Sequence, residues 1–581
     1  METETKQCQN CKTNFTIEEE DFVFYDRVKA PPPTFCPDCR MFRRIASRNQ
    51  RSLFKRDCSK CGKDMPSMYS PDSLFTVYCT ECYFKDDWDA SEYSADYDFS
   101  KPFFIQFYEL LKQVPQLHIA HTNNNGGGIV FSNYVYRSNN IYLSYGVVRS
   151  ENIYYSWGSE NNNKTCVDCA NFTENEKCYE LVAAKNNYAS SFLTRSHRCL
   201  ESHFLFDCFN CTNCFMSSNL RNKSYVFRNE QLTQDTYKEK IVEAMDGTYE
   251  KQENLQNEYE NLMRNSIHRF ASIIQSTNCI GDSIFNSKNI YKSFSIENSE
   301  NVRYSQITTN SVANCFDFSM SGRAENSYEF SVAGRGNENT LFCFDVGDTQ
   351  NIQYCDGVNH VKNLFGCIGL KHKQFSILNK QYSETEYKEL VPKIIEQMNA
   401  TPYIDSARRI YKYGEYFPIE LSRFPYNQTN LFELYPLSKE VAMSSGYTWV
   451  DMPKREHKAT VSFDKLPRII SEDVAFYTKN IYPCLHNEKC NHICSGAFRV
   501  TPDEVNLYKK LGIALPRLCP NCRYFKRLER ILPWKLWSRT CMCDLSNHAH
   551  VGKCDVEFET SYSPDRPEKI FCEKCYQQEV V

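Results

Sequence analysis

Thr34-Phe35-Cys36-Pro37-Asp38-Cys39-Arg40 decides the organisation of this chain, because the same turn returns near the other end as Arg517-Leu518-Cys519-Pro520-Asn521-Cys522-Arg523. A C-x-x-C pair holds two thiolates at the spacing of one edge of a metal tetrahedron, and two such pairs close a four-sulfur structural site. The two copies of this turn therefore predict that both ends of the chain are metal-binding ribbons.

Composition limits the classes of protein that need to be considered. The chain has 581 residues, 30 cysteines and a net charge of −4, so its overall charge does not favour polyanion binding. It shows neither a signal-peptide pattern nor a run of about 18 apolar residues, so we expect a cytoplasmic protein without a membrane span. In that compartment, many cysteines indicate metal thiolates and buried thiols rather than disulfides.

The region 1–100 carries four cysteine pairs, each at C-x-x-C spacing. Pairing them in order predicts two closed zinc sites, formed by Cys8, Cys11, Cys36 and Cys39 and by Cys58, Cys61, Cys79 and Cys82. A closed four-cysteine site has no open coordination position, which indicates a structural rather than a catalytic role. Redox-active pairs are the alternative.

The region 481–581 repeats this module. Three separations agree between the two ends: 21 residues from Phe15 to Cys36 and from Phe498 to Cys519, 19 from Cys39 to Cys58 and from Cys522 to Cys541, and 18 from Cys61 to Cys79 and from Cys554 to Cys572. Three matching intervals indicate two copies of one double-ribbon module.

This register assigns the less regular ligands of the C-terminal copy. It predicts one zinc site from Cys490, Cys494, Cys519 and Cys522, and another from Cys541, Cys554, Cys572 and Cys575, so we expect about four structural zinc ions in all. Cys484 is left as a spare. Cys543, His548 and His550 lie in an insertion within the last ribbon, where they could replace Cys541 or bind a further ion.

A basic strip follows each Cys-Pro-x-Cys-Arg turn. The candidate nucleic-acid contacts are Arg40, Arg43, Arg44, Arg48 and Arg51 after the first turn, and Arg523, Arg527 and Arg530 after the second. Such strips could contact phosphates. The alternative is an ordinary helix face whose arginines hydrogen-bond within the ribbons.

Each end resembles the "probable zinc-ribbon" domain family. The shared pattern is a Cys pair, an aromatic residue, an acidic segment with Phe-Tyr or Leu-Tyr, and Cys-Pro-x-Cys-Arg, here from Phe15 to Arg40 and from Phe498 to Arg523. The whole layout, including the connector motif 413–418, resembles uncharacterised multi-zinc-ribbon β-repeat proteins of candidate-phyla-radiation (Patescibacteria-type) bacteria. The resemblance implies a layout and zinc ligands, but no activity.

The middle of the chain has a repeat of about 12 residues. It is marked by Asn289, Asn301, Asn314, Asn326, Asn339, Asn351 and Asn363, with a less regular series in the first half. Asparagine tolerates left-handed backbone geometry, and its amides can form ladders between stacked strands. We predict a mainly β fold with two β-solenoid-like ladders of about 24 residues per coil. A β-sandwich is the alternative.

The predicted segments between the ribbon modules are a first ladder at 120–230, capping or protruding helices at 231–270, a second ladder at 271–378, a capping helix at 379–400 and a connector at 401–480. Thr233 and Ser383 are the predicted helix N-caps. Cys343, Cys355 and Cys367 share one phase of the repeat, which favours small buried side chains over metal ligands. Cys199, Cys208, Cys211 and Cys214 could be ladder thiols or a further metal site.

Three functions are compatible with these features. The favoured one is a non-enzymatic zinc-binding scaffold that presents an extended surface to protein partners or to a second copy. A nucleic-acid or ribosome-binding protein that uses the basic strips is the alternative. A carbohydrate-active enzyme on the ladder is less expected, since we find no facing acid pair with a base in phase with the repeat, and no small-molecule substrate is indicated.

Overall fold

A computed structural model describes residues 2–120, 127–308, 310–334, 336–451, 458–548 and 550–580. Strands make up 32% and helices 24% of the structure, and cysteine clusters lie at both ends. The expectation of a strand-rich chain flanked by cysteine-based modules is therefore confirmed.

The N-terminal module contains two short hairpins and four helices, two of which begin directly after a cysteine. Its strands are Glu4–Gln7, Asn14–Ile17, Phe54–Asp57, Asp64–Ser67, Val77–Tyr78 and Gln116–Leu117. Its helices are α1 (Glu19–Val28), α2 (Pro37–Ala46), α3 (Thr80–Tyr83) and α4 (Phe103–Gln113), with a 3-10 turn at Ala90–Tyr93. Cys36 is the N-cap of α2 and Pro37 its first residue, where a missing N–H costs nothing.

The first ladder is a 14-stranded sheet within residues 129–231. Its strands are Ile129–Val130, Asn133–Tyr136, Asn139–Tyr142, Tyr145–Val148, Glu151–Tyr154, Trp157–Glu160, Lys164–Val167, Ala170–Thr173, Glu176–Lys185, Ser191–Thr194, His203–Phe206, Phe215–Ser218, Val226–Phe227 and Glu230–Gln231. The last two strands form an antiparallel hairpin, and the other pairings in this sheet are parallel.

The second ladder is a 13-stranded sheet within residues 273–381. Its strands are Ile273–Ile274, Thr277–Phe285, Lys288–Glu297, Glu300–Arg303, Gln306–Thr308, Val312–Ser321, Ala324–Glu325, Tyr328–Ala333, Asn337–Leu341, Phe344–Gln353, Asn359–Phe365, Gln374–Ile377 and Lys380–Gln381. Pairings among the five strands from Val312 to Gln353 close on themselves as a small barrel.

The register of both ladders corrects the predicted coil length. Most parallel pairs are 12 apart along the chain, as for Ile141 with Ile153 and Thr349 with Val361. The separation is 13 where one residue is inserted, as for Val302 with Cys315, and 11 at the start of the second ladder, as for Ile273 with Ile284. Each 12-residue unit therefore lies directly on the next, and the expected 24 residues per coil is wrong. The parallel pairing also differs from the antiparallel strands of the sandwich alternative.

The recurring asparagines adopt the left-handed geometry and form the amide ladders that the sequence predicts. All seven that mark the second ladder have positive φ, between 48° and 55°. The Asn289 amide donates to Asn301 Oδ1 at 2.9 Å, and Asn301 donates to Asn314 Oδ1 at 2.9 Å. Asparagine is favoured here because its short side chain tolerates the left-handed region and bonds the next rung.

The ladder cysteines lie in the interior. Cys343, Cys355 and Cys367 are fully buried, and the Cys355 N–H donates to Cys343 Sγ at 3.3 Å. In the first ladder, the Cys208 N–H donates to Ser196 Oγ at 3.1 Å, so a cysteine there stacks on the serine of the preceding rung. Cys199, Cys208, Cys211 and Cys214 are also buried, and their thiols donate to backbone carbonyls.

Helices follow each ladder at the predicted N-caps. Helices α5 (Gln234–Ala244) and α6 (Tyr249–Asn265) follow the first ladder, and α7 (Glu384–Ala400) follows the second. The hydroxyl of Thr233 accepts the Thr236 N–H, and that of Ser383 accepts the Glu386 N–H. The helical conformation is interrupted between α5 and α6 at Gly247, which has a φ of 77°.

The connector is made of short elements, followed by the C-terminal module. Its strands are Tyr403–Ile404 and Ile410–Tyr411, its helices are α8 (Asn430–Leu434), α9 (Lys439–Ser444) and α10 (Val474–Lys479), and 3-10 turns lie at Ile419–Leu421, Tyr426–Gln428 and Phe463–Lys465. The module has strands Tyr482–Pro483, Ala497–Phe498, Trp537–Thr540, Glu557–Thr560 and Lys569–Phe571, and helices α11 (Pro502–Leu511), α12 (Pro520–Leu528) and α13 (Glu573–Val580). A strand between α6 and the second ladder, Ile267–Arg269, pairs with Lys569–Phe571.

Candidate metal centres and the ion pairs beside them

The N-terminal module brings together both predicted cysteine groups. Cys8, Cys11, Cys36 and Cys39 form the first ribbon, and Cys58, Cys61, Cys79 and Cys82 form the second, with the four sulfurs of each group within 4.8 Å of one another. The Cys11 and Cys36 sulfurs are 3.6 Å apart, and those of Cys61 and Cys79 are 3.8 Å apart. A metal–sulfur bond of about 2.3 Å gives a tetrahedron edge of about 3.8 Å, so both groups fit a four-coordinate ion.

The third ribbon differs from the prediction at one ligand. Its sulfur group consists of Cys484, Cys494, Cys519 and Cys522, so Cys484 takes the place that was assigned to Cys490. The Cys484 and Cys522 sulfurs are 3.8 Å apart, and those of Cys494 and Cys519 are 3.9 Å apart. Cys490 instead belongs to a neighbouring group with His486, His492 and Cys522.

The reason for this difference is an insertion in the first knuckle of the third ribbon, that is, in the loop between its first two cysteines. The Cys484 N–H donates to Gly496 O at 2.7 Å, as the Cys8 N–H donates to Thr13 O at 2.9 Å, so both cysteines begin the same turn. Nine residues lie between Cys484 and Cys494, whereas two lie between Cys8 and Cys11. The predicted register counts back from Phe498 with the short spacing of the N-terminal copy, so it places the first ligand at Cys490. The aromatic strand residue Tyr482, paired with Phe498, was the available signal for the start of the knuckle.

The fourth ribbon contains the predicted group of Cys541, Cys554, Cys572 and Cys575. A shared hydrogen bond supports these assignments. The N–H of the third cysteine donates to the sulfur of the first at 3.2 Å in three ribbons: Cys79 to Cys58, Cys519 to Cys484, and Cys572 to Cys541. A sulfur that accepts such a bond is stabilised in the thiolate form that a metal ligand requires.

The electrostatics of each group favour one thiolate before any metal binds. Burial opposes ionisation of Cys58, but N–H groups of Cys79, Cys61 and Lys60 outweigh it and lower its pKa to about 6. Hydrogen bonds from the Cys36 and Cys39 thiols lower the pKa of Cys8 well below its usual range, and those from Cys484 and Cys522 do the same for Cys519. A metal ion bound at such a group would displace the remaining thiol protons.

The arginines of the two basic strips do not form a surface for phosphates. Arg40, Arg43, Arg44, Arg48, Arg523 and Arg527 are at most 6% exposed. Arg51 stacks 3.8 Å from the Tyr524 ring and donates to Asn521, and Arg530 lies 3.6 Å from Glu180. The predicted surface position of these contacts is therefore wrong. Most of the side chains face buried carboxylates, whereas Arg48 stacks 3.8 Å from the Tyr134 ring and Arg51 lies 3.8 Å from Glu433 of the connector.

Helix α2 of the N-terminal module docks on the second ladder. Arg40 Nη2 lies 2.8 Å from Asp317 Oδ2, and Arg44 Nη1 lies 3.1 Å from Asp317 Oδ1. Arg43 Nη2 lies 2.8 Å from Glu329 and 3.0 Å from Glu415 of the connector. Three guanidinium groups thus face three carboxylates, and together they make the first clamp.

Helix α12 of the C-terminal module docks on the first ladder with matching residues, which make the second clamp. Arg523 lies 3.1 Å and Arg527 2.7 Å from Asp168, and Glu180 lies within 3.8 Å of Arg527. Asp168 and Glu180 are 12 residues apart, as are Asp317 and Glu329, so each acid pair occupies adjacent rungs of its ladder. The docking is crossed, since each ribbon module contacts the ladder that is farther away in sequence.

Aromatic contacts around the clamps match as well. Tyr25 and Tyr328 rings are 5.3 Å apart at the first clamp, and Tyr508 and Tyr179 rings are 5.2 Å apart at the second. Burial raises the pKa of Glu329 to about 7, with Arg43 opposing the rise. The sequence offers one signal for these acids, their 12-residue spacing in phase with the repeat, but no local pattern relates them to a distant arginine.

Two further groups lie in the insertions of the C-terminal module. His486, Cys490, His492 and Cys522 offer ligand atoms within 4.8 Å of one another. In the fourth ribbon, Cys543 Sγ lies 3.1 Å from His548 Nδ1 and 3.4 Å from His550 Nε2. Cys543 therefore sits beside the four-cysteine group and does not replace Cys541.

No family model, curated protein or solved structure matches this chain. The resemblance of its ends to the probable zinc-ribbon family stays a prediction. Among the described residues, helices that are long and apolar enough to cross a membrane are not found.

Proposed function

We propose that this protein is a non-enzymatic scaffold in which zinc ribbons hold two β-solenoids in a fixed arrangement. The observation that carries the proposal is the crossed docking, in which buried arginines of each ribbon module meet buried acids of the opposite ladder. A ribbon module whose arginines are buried in ion pairs within the protein acts as a structural brace. Four-sulfur groups suit zinc in such a role, since they leave no open position for catalysis.

The parallel 12-residue register supports a solenoid in which one unit makes one coil. Stacked coils build an elongated surface rather than a deep pocket, and such surfaces commonly bind other proteins. On the first ladder, Tyr188, Leu200 and Phe209 are large apolar residues that are 37%, 44% and 37% exposed. Tyr188 and Leu200 lie on adjacent rungs. We propose that this ladder face contacts a protein partner.

An affinity purification from native cells, with and without nuclease, tests the proposal. The expected result is a protein that co-purifies with the wild type in both arms and is lost with Leu200→Glu. Val242→Glu is the matched control, because Val242 is 75% exposed on α5 and lies outside this face. Recovery of partners only in the nuclease-free arm would instead indicate nucleic-acid binding, and loss with both variants would refute the assigned face.

A further inference from the structure

We propose that each ribbon of the C-terminal module is a two-metal centre, in which the last cysteine bridges a second zinc ion to the first. In the third ribbon, His486, Cys490 and His492 complete the second site with Cys522, whose sulfur also belongs to the four-cysteine group. In the fourth ribbon, Cys543, His548 and His550 do so with Cys575. The inference rests on the proposed zinc occupancy of the four-cysteine groups.

The geometry of the third ribbon fits a shared thiolate. Cys490 and Cys522 sulfurs are 3.7 Å apart, close to the tetrahedron edge of about 3.8 Å that two zinc–sulfur bonds require. Cys522 is also 3.8 Å from Cys484 and 3.5 Å from Cys519. Its sulfur thus has thiol neighbours from both groups, which is the position of a bridging ligand.

The two histidines present free nitrogens to this site. His486 Nδ1 and His492 Nδ1 are buried and have no hydrogen-bond partner among the described residues. A buried polar atom without a partner is costly and calls for an explanation, which an ion would supply. On its other side, His492 Nε2 lies 3.4 Å from Glu529 Oε1. A carboxylate behind a histidine is the usual outer contact of a metal-bound imidazole.

The fourth ribbon repeats this chemistry with different spacing. His548 Nε2 lies 3.3 Å from Glu579 Oε2, while its Nδ1 faces Cys543. His550 Nδ1 lies 2.7 Å from Gly552 O, so it carries the proton and leaves Nε2 free beside Cys543. The Cys543 thiol also contacts Cys575. Each insertion thus supplies one cysteine and two histidines.

Charge favours the shared arrangement. Four thiolates around one dication carry a net charge of −2, whereas five thiolates around two dications carry −1, with neutral histidines adding nothing. A lower net charge costs less to bury. The third ribbon also has an entry path, because Cys490 and His492 form part of the wall of a cavity of about 810 Å³.

The N-terminal module is the internal control. Its knuckles, Cys8 to Cys11 and Cys58 to Cys61, have only two intervening residues and no histidine, so each N-terminal ribbon takes one ion. The chain should therefore bind four zinc ions in four-cysteine sites plus two in the insertions, a total of six.

Zinc content per full-length chain, measured by plasma mass spectrometry, tests this count. We expect six ions in the wild type and five in both His486→Ala/His492→Ala and His548→Ala/His550→Ala. The control His360→Ala/His372→Ala removes a stacked histidine pair on the second ladder and should retain six. A wild-type count of four would overturn this inference and leave the zinc scaffold intact, whereas a count near zero would overturn both. A count of five, with one histidine pair silent, would overturn it for that ribbon.

Cobalt substitution provides a readout that does not depend on variants folding. Two cobalt ions that share a thiolate couple magnetically, so the fully loaded wild type should show a lower magnetic moment per cobalt than isolated sites. Cys490→Ser should remove the coupling in the third ribbon while its four-sulfur charge-transfer bands persist. Uncoupled cobalt throughout the wild type would refute the bridging cysteines.

Discussion

Neutralising Asp317 should weaken the docking of helix α2 on the second ladder. Asp317 is fully buried and accepts from Arg40 at 2.8 Å and from Arg44 at 3.1 Å. Asp317→Asn keeps the shape of the side chain but leaves two buried guanidinium groups facing a neutral amide. Breaking a buried ion pair from one side costs about 3–5 kcal/mol.

The remaining contacts place this variant near the lower end of that range. Arg40 keeps Phe35 O at 2.7 Å, and Arg44 keeps Ser319 Oγ and Tyr304 O at 3.3 Å. We therefore expect a loss of about 3 kcal/mol in the free energy of local opening, which corresponds to roughly hundredfold faster amide exchange in α2 and in the strand Val312–Ser321.

Hydrogen–deuterium exchange of the zinc-loaded protein measures this change. Asp64→Asn is the control, since its partner Lys55 is 78% exposed and such pairs contribute about 0–1 kcal/mol. Asp168→Asn is the matched variant, and it should speed exchange in α12 while leaving α2 unchanged. Exchange in α2 within about threefold of wild type for Asp317→Asn would refute the assigned role of the clamp.

Three other predictions concern single positions. Burial raises the pKa of Glu504 from 4.5 to about 7 against the opposing effect of Arg523, so its proton favours the folded state, and that stability is lost as pH rises from about 4.5 to 7. The stability of Glu504→Gln relative to wild type should therefore increase by up to about 3 kcal/mol between pH 5 and 7.5, measured as the free energy of local opening of α11. The same stability difference at both pH values would contradict this. Cys484→Ser should lower the zinc affinity of the third ribbon, measured by chelator competition, far more than Cys279→Ser does. Cys279 is the control, since it is a half-buried ladder thiol outside the four-sulfur groups. Equal affinities of the two variants would restore Cys490 as the ligand. Asn301→Ala should destabilise the second ladder by about 1–2 kcal/mol, because the backbone of alanine is strained at a φ of 55° and both amide hydrogen bonds are lost. Asn301→Gly should recover part of this loss in a thermal melt, since glycine adopts a positive φ without strain. Equal melting temperatures of the alanine and glycine variants would argue against backbone strain.

Local spacing was enough to predict most of the cysteine groups. The eight N-terminal cysteines and Cys541, Cys554, Cys572 and Cys575 group as expected, because a knuckle is set by a few neighbouring residues. The left-handed asparagines were also predictable, since that geometry is a property of the residue itself. Cys484 was missed because a loop insertion breaks the spacing on which the register depends.

Long-range features were not accessible in the same way. A 12-residue period does not state how many units make one coil, and only the pairing of residues such as Ile141 and Ile153 does so. The basic strips look alike whether they face phosphate or a buried carboxylate. Their true partners lie about 270 residues away for Arg44 and Asp317, and farther still for Arg527 and Asp168. Composition near Arg44 holds no information on such a contact.

Amide exchange in two zinc-site variants tests the central claim most directly. Cys8→Ser/Cys11→Ser opens the first ribbon, and Cys494→Ser/Cys519→Ser opens the third. If zinc ribbons brace the ladders crosswise, the first variant should lose protection around Asp317 and Glu329 in the second ladder, and the other should lose it around Asp168 and Glu180 in the first. Ladders that keep wild-type protection in both variants, or loss confined to the ladder nearer in sequence, would contradict the account.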